Sequence, residues 1–414
     1  MTAFGFFTPG ISALRGHTEA FAGISQDIAN LTSEGYKATD TQFAEMVHTG
    51  DGGVFQQFSG LNSRTRNLIE RQGNILTSNR NFDIAIDGTG FLVTNSQQDL
   101  SGDVQLTRAG SLDRTLVGTG TAEQAFLADR NGNFVLGWPS DGAGGFTVGT
   151  AVGSLQPIRI DSGAAGSDAA ATTTASIGAN LPAESATGAN FDLNVGVFDD
   201  LGNAHTLLFD FTKNAAINTW DLVVSTPDGT VTSGSPASMT FDASGNLVAP
   251  ANQTVAITWT NPAAAAASSI AVDFSLMTQF DGSFTPAITQ ANGNTAGILT
   301  DISFNSAGEV VGQFSNGLTQ GIAKLPVALV RAENLLATAQ GTNFTVSPES
   351  GDIRLVEADV SDFANFVPNG LEESTVDLAG EFSDMVIAQR AYSSAAQTVR
   401  VVDEMTQVAT RLKT

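Results

Sequence analysis

The histidines at positions 17, 48 and 205 are the side chains best suited to proton transfer or metal ligation in this sequence. No two of them share the short spacing that lets neighbours on a helix or strand close on one ion, and His17 reads as a packing or interface residue. Asp129, Asn131 and Asn133 imitate the opening ligands of a calcium loop. Phe134, however, stands where that loop turns on a glycine, and no glutamate follows at its twelfth position. The step Asn131 to Gly132 is a hairpin turn. Gly88 with Gly90, and Gly142 with Gly144 and Gly145, lack the further glycines or the lysine of a phosphate loop and read as turns. Asp199 and Asp200 have the chemistry for acid–base work, but adjacent carboxylates on a turn are expected to face solvent. With no cysteine there is no thiolate nucleophile, disulfide framework or iron–sulfur ligand set. No catalytic, cofactor or metal residue is assigned, and an enzyme is not expected.

Composition narrows the partners. The 414 residues suffice for about three domains. Eighteen Lys and Arg against 42 Asp and Glu leave a net charge of −24, so nucleic acid and anionic lipid surfaces are excluded as partners. Between Thr172 and Gln290 there are ten carboxylates and one cation, Lys213. No apolar run reaches the length of a membrane span. The apolar first residues carry no cation before Arg15, so no cleavable signal peptide is expected, and export, if any, takes another route.

The elements that must position any site are two helical ends around a long β middle. Thr8 reads as the cap and Pro9 as the first residue of a helix, with Gly35 as its stop. Ile11, Leu14, Phe21, Ile24, Ile28 and Leu31 recur at spacings of three, seven, three, four and three, a heptad-like stripe that includes His17. At the other end Asp377 is the candidate cap of a helix without Gly or Pro from Glu381 onward. There Leu378, Met385, Tyr392 and Val399 repeat at seven, with Ala388, Ala395, Val402 and Ala409 three residues behind a-type positions, and the apolar set then shifts to Met405, Val408 and Leu412. Between the ends the period falls to two, as at Thr206–Phe211 and Val255–Trp259, and a turn pattern recurs around Asp129, Asp199, Asp242 and Asn305.

The predicted fold class is mainly β with long terminal α-helices, the helices forming a coiled-coil-like inner domain and two β-sandwich or barrel-like modules lying outside it. Residues 1–70 and 367–414 are assigned to the helical core with its connecting segment, 71–171 and 291–366 to an inner β domain, and 172–290 to an outer acidic β domain, with Asp161 to Ser176 as a linker. A lone pair of helices buries one face of each, and no third helix is predicted. Copies of the same chain are therefore expected to cover the rest. The subunit-packing set is Ile11, Leu14, Phe21, Ile24, Ile28, Leu31, Leu378, Met385, Tyr392, Val399, Val402 and Met405.

Three motif groups then carry a resemblance. Asn30, Thr32, Gly35, Tyr36 and Lys37 follow the first helix; Gly88, Gly90 and Phe91 precede the run from Thr107 to Leu112; and the run from Gly370 to Leu378 precedes Gln389, Arg390 and Tyr392. In this order and at both ends, they resemble the motifs of the axial rod and hook proteins of the bacterial flagellum. Residues 172–176, 198–205 and 304–312 resemble the additional β domain of the hook branch, which the shorter rod proteins lack. Gln26 and Asp27, where the family often has two Asn, and Leu92, where a second Phe is common, depart from the pattern. The resemblance implies a non-enzymatic subunit without cofactor that self-assembles as a homo-oligomeric helical tube, a flexible universal joint passing motor torque from rod to filament. It also implies as partners a distal rod protein, a hook cap, hook–filament junction proteins and the type III export apparatus, and a place in the flagellum outside the cell. The alternatives are a rod or hook-associated axial protein and, in a different class, a secreted β-rich adhesin or carbohydrate-active enzyme.

Overall fold

The computed structural model describes residues 7–49, 56–118, 123–141, 145–161, 169–235, 237–260, 265–358 and 363–411. Seven residues from the first half of the expected linker, 162–168, and most of the glycine turn at 142–145 lie outside them, as does Leu412. Two long helices stand at the ends, α1 (Thr8–Ala29) and α2 (Leu378–Arg411), and strands fill the middle. Asp377 caps α2 as expected, its Oδ1 accepting from the Ala379 N–H at 3.1 Å. At α1 the expectation shifts by one residue: Phe7 takes the cap position and Thr8 is already helical. Asn30, not Gly35, ends the helix.

The segment expected to be a plain connection is an antiparallel hairpin, β1 (Thr39–Thr49) with β2 (Gln56–Asn67), which packs on α1. Its register opposes Thr41 to Thr65, Gln42 to Arg64 and Ala44 to Asn62. These positions are mostly polar on both faces, so no apolar alternation announced the strands.

The chain divides into two compact units, residues 1–165 with 301–312 and 320–414, and residues 166–300 with 313–319. In the second unit two five-stranded sheets share one core. One runs in the order Gly229–Ser233, Asn252–Trp259, Ser268–Asp273, Thr174–Asn180, Thr285–Ala291, and the other Asn190–Phe198, Ala204–Lys213, Thr219–Ser225, Ala237–Phe241, Leu247–Ala249. Leu207, Phe209 and Phe211 point from one strand into that core and Trp220, Leu222 and Val224 from its neighbour, the strict alternation of a sheet buried on one face. This is a β-sandwich.

The recurrent turn has one construction throughout the chain. At Asp129, Asp199 and Asp242 the carboxylate Oδ1 accepts the N–H groups two and four residues on, and the Asn four residues on returns its side-chain amide to Oδ2. Asn305 does the same with its amide oxygen and donates its own Nδ2 to Glu309, so the polarity of that last bond is reversed. Each turn closes on a glycine in left-handed backbone: Gly132, Gly202, Gly245 or Gly308.

In the first unit the sheet order includes Thr319–Lys324, Phe134–Pro139, Leu92–Asn95, Val104–Thr107, Asn343–Thr345 and Ala337–Thr338. Phe91, Val93, Leu106, Leu136, Trp138 and Phe344 fill its core. The chain then reaches α2 through two short ladders, Ala364–Pro368 against Ile84–Gly88 and Gly370–Glu372 against Ile75–Thr77.

Candidate functional site

The two helices meet each other within the one chain. Gly10 near the start of α1 lies against Val399, whose Cγ2 would sit 2.6 Å from a Cβ placed on that glycine. At the other end of α1 the Asp27 carboxylate faces the charge of Glu381. The pair is therefore antiparallel. The buried residues of α1 are not the apolar stripe: Gly16, Ala20 and Asp27 fall on one line at helical spacing, and Gly10, about 120° round the helix from Gly16, faces α2. Gly16 faces Leu61, Phe43 and Ser63 of the hairpin, and a Cβ there would come within 3.0–3.4 Å of those side chains, which would have to shift.

The expected packing set divides between covered and uncovered positions. Ile11, next to Gly10, is 49% exposed. Phe21 is exposed as well, while Leu14, Ile24, Ile28 and Leu31 are half-buried. On α2 the heptad residues Met385, Ala395, Val399 and Val402 are half-buried and Ala388 is buried, so this stripe is spent on α1 of the same chain. Leu378, Tyr392 and Met405 are exposed, Met405 at 67%. With Phe382, Val386, Ile387, Val401 and Val408 they form an apolar set that nothing in the described chain covers. The family residues Gln389 and Arg390 are exposed beside it. Phe382, Val386, Ile387 and Val401, which the heptad reading missed, are all exposed.

Behind the helices, the motif residues converge on a buried clasp. Asn30 folds back on α1, its Nδ2 donating to the Gln26 carbonyl, while Thr32 is exposed. Tyr36 donates its hydroxyl to Asp27 Oδ1 at 2.8 Å, and Thr39 gives both its N–H and its hydroxyl to Oδ2. Asp27, a departure from the family pattern, therefore fixes the end of α1 to the hairpin. Burial pushes its carboxyl above the usual range despite those three donors. Lys37 donates to Glu372 Oε1 and to the Arg71 carbonyl, both at 2.6 Å, and Arg108 reaches Glu372 Oε2 at 3.4 Å. All three charged side chains are buried. The Arg108 guanidinium also lies 5.2 Å from the centre of the Phe91 ring. Gly35, in left-handed backbone, passes so close to Ala109 that a Cβ would meet its nitrogen at 2.6 Å. Gly88 and Gly90 share that conformation and bring Phe91 beside Ala328, with which it exchanges two backbone hydrogen bonds of 2.9 Å.

A cavity of about 290 Å³ opens between α1, the hairpin and α2, lined by His17, Asp40, Glu381 and Asp384 among apolar neighbours. His17 packs its ring 5.2 Å from that of Phe43. Burial, with the carboxylates of Asp27, Asp384 and Asp377, pushes Glu381 up to about 7.

In the second unit two expectations fail. His205 is not isolated: its ring nitrogens lie 3.1 Å from Asp199 Oδ2 and 3.2 Å from Asp228 Oδ2, and the ring stacks on Trp259 at 4.1 Å. Asp199 is fully buried rather than facing solvent, and hydrogen bonds from Asn203, His205 and Leu201 outweigh the desolvation to hold its carboxyl below the usual range. Asp200 is exposed and accepts from the Ala266 N–H. The signal for this cluster was the turn itself, which turns one of two adjacent aspartates inward. Among the described residues no group of His, Asp and Glu has the arrangement of a metal site.

Residues 166–294 match the family described as flagellar basal body protein FlaE D2 domain, and residues 368–412 match the flagellar basal body rod FlgEFG protein C-terminal family. The flagellar hook protein FlgE of Brucella suis is 29% identical over 425 residues, covering the whole of both chains. That of Escherichia coli is 28% identical over 424 residues, covering 98% of this chain and all of its own. A crystal structure of the Helicobacter pylori flagellar hook protein FlgE2 aligns with 72% of this chain and 100% of its own, at 12% identity and a TM-score of 0.49. Family signatures in the second unit and across α2, joined by similarity that runs from one end of the sequence to the other, make this chain a member of the flagellar rod and hook family of axial proteins.

Proposed function

We propose that the chain is the structural subunit of a bacterial flagellar hook, the flexible tube that joins the motor-driven rod to the filament and works as a universal joint. The observation that carries the mechanism is the outward apolar set on a helix pair whose inner faces are already occupied. Ile11, Phe21, Leu378, Tyr392 and Met405 have no further partner to find within the described chain, and burying them between copies withdraws apolar area from water.

In this reading residues 1–70 and 367–414 form the helical wall, with 71–171 and 291–366 as an inner and 172–290 as an outer β domain. On this reading the sandwich slides against its neighbours through polar contacts that expose and rebury little apolar area, leaving exposed side chains such as Ile217 outside them. The tube's ends contact a distal rod protein, a hook cap and hook–filament junction proteins. The chain travels there unfolded through the type III export apparatus.

Electron microscopy of the purified chain at rising concentration tests the proposal. Ordered tubes are expected from the full chain and none from a chain lacking residues 377–414. Tubes from the trimmed chain, or amorphous aggregate alone from the full one, would refute it.

A further inference from the structure

The run from Gly370 to Val376 does more than lead into α2. The carboxylate of Glu372 accepts from Lys37 Nζ at 2.6 Å, from the Gly73 N–H at 2.8 Å and from Arg108 at 3.4 Å. Its backbone carbonyl accepts the Gly35 N–H at 2.8 Å. Thr375 takes the Ala38 N–H on its hydroxyl and gives its own N–H to the Tyr36 carbonyl. Glu373 donates to the Asn74 carbonyl. Segments 35–38 and 71–77, together with Arg108, thus meet on one stretch of chain more than 260 residues away in sequence from any of them.

We infer that Glu372 is a latch: the N-terminal segment stays docked on the β unit only while the C-terminal segment is seated, so that α1 and α2 dock and release together. The reason is electrostatic. Lys37 and Arg108 are both buried cations, and Glu372 is the carboxylate that contacts both. Removing its charge leaves two like charges in a dry site, which favours exposing one of them to water; loss of the Lys37 proton with the site still closed is the competing outcome, and unchanged protection would reveal it. Glu333 is near enough to act on both cations, but it is half-buried and its Oε2 has no partner, as has Arg108 Nε. It does not replace the direct contact. Burial already holds the Lys37 ammonium below its ordinary value, and Glu372 opposes that shift. The strands Leu92–Asn95 and Phe134–Pro139 take no part in these bonds, so they report whether an opening is local.

The test is Glu372→Gln in the full chain, read by amide exchange in every variant and, in this single variant, also by trypsin cleavage after Lys37. Segments 35–39 and 370–376 are expected to lose protection together, by about a hundredfold or more, the equivalent of breaking a buried ion pair. Strands 92–95 and 134–139 keep theirs. Adding Lys37→Met to Glu372→Gln removes one of the two stranded charges, and with it their repulsion, and is expected to restore part of the amide-exchange protection. Unchanged protection in the single variant overturns the latch. So does opening of one segment without the other, loss of the reporter strands as well, or a double variant no better protected than the single one. The inference does not depend on what the outward face of the helices packs against.

Discussion

Replacing Met405 by Asp separates the two faces of α2. Met405 is 67% exposed, so in the free chain the substitution removes little packing and is expected to change stability by no more than about 0.5 kcal/mol. In a tube that buries this face the same side chain is withdrawn from water. Full burial of a methionine is worth about 1.5–3 kcal/mol, and the exposed two-thirds of it about 1–2 kcal/mol. That loss alone raises the concentration needed for assembly about five- to thirtyfold, and a carboxylate without a partner at the contact raises it further. Val399→Asp is the control for the inner face. Val399 sits against Gly10, and a charge there is expected to cost the free chain about 2–4 kcal/mol by splitting the helix pair. Light scattering with electron microscopy gives the assembly threshold, and circular dichroism of the unassembled chain gives helix stability. Met405→Asp forming tubes at the unmodified chain's threshold would refute the assignment of the outward face, as would a large loss of helicity in the free chain.

Glu381 makes the helix pair pH-dependent. Its carboxyl is raised to about 7, so the unfavourable term is fully present above that pH and fades as pH falls toward the ordinary carboxylate range near 4.5. The contribution of this group should therefore stabilise the pair as pH is lowered from about 8 to 5, and Glu381→Gln should flatten that slope and stabilise the pair at pH 8; thermal melts at fixed salt check it. In the second unit His205→Ala strips a partner from each of Asp199 and Asp228 and a stacked ring from Trp259. A loss of about 1–3 kcal/mol is expected, seen in amide exchange of strands 190–198, 204–213, 229–233 and 252–259, with the first unit unchanged.

The sequence by itself determined the two terminal helices, the β middle, the family and the recurrent turn. These are local properties, because helix periodicity, a capping aspartate and a glycine in left-handed backbone each act within a few residues. Asp129, Asp199 and Asp242 close the same turn wherever they occur. Only the tertiary structure decided which face of each helix is inside. Glycine carries no apolar signal, yet Gly10 and Gly16 let backbones approach and so fix the inner faces of α1, leaving Ile11 and Phe21 outside. The β1–β2 hairpin escaped notice because its alternation is polar. The clasp was hidden for another reason: Lys37, Arg108 and Glu372 lie in three motifs that could be read one at a time, but a buried ion pair exists only when chain segments 335 residues apart are brought within 2.6 Å. Asp199 and His205, six residues apart, were each visible too, and it took the fold to deliver Asp228 and Trp259 to the other sides of the ring.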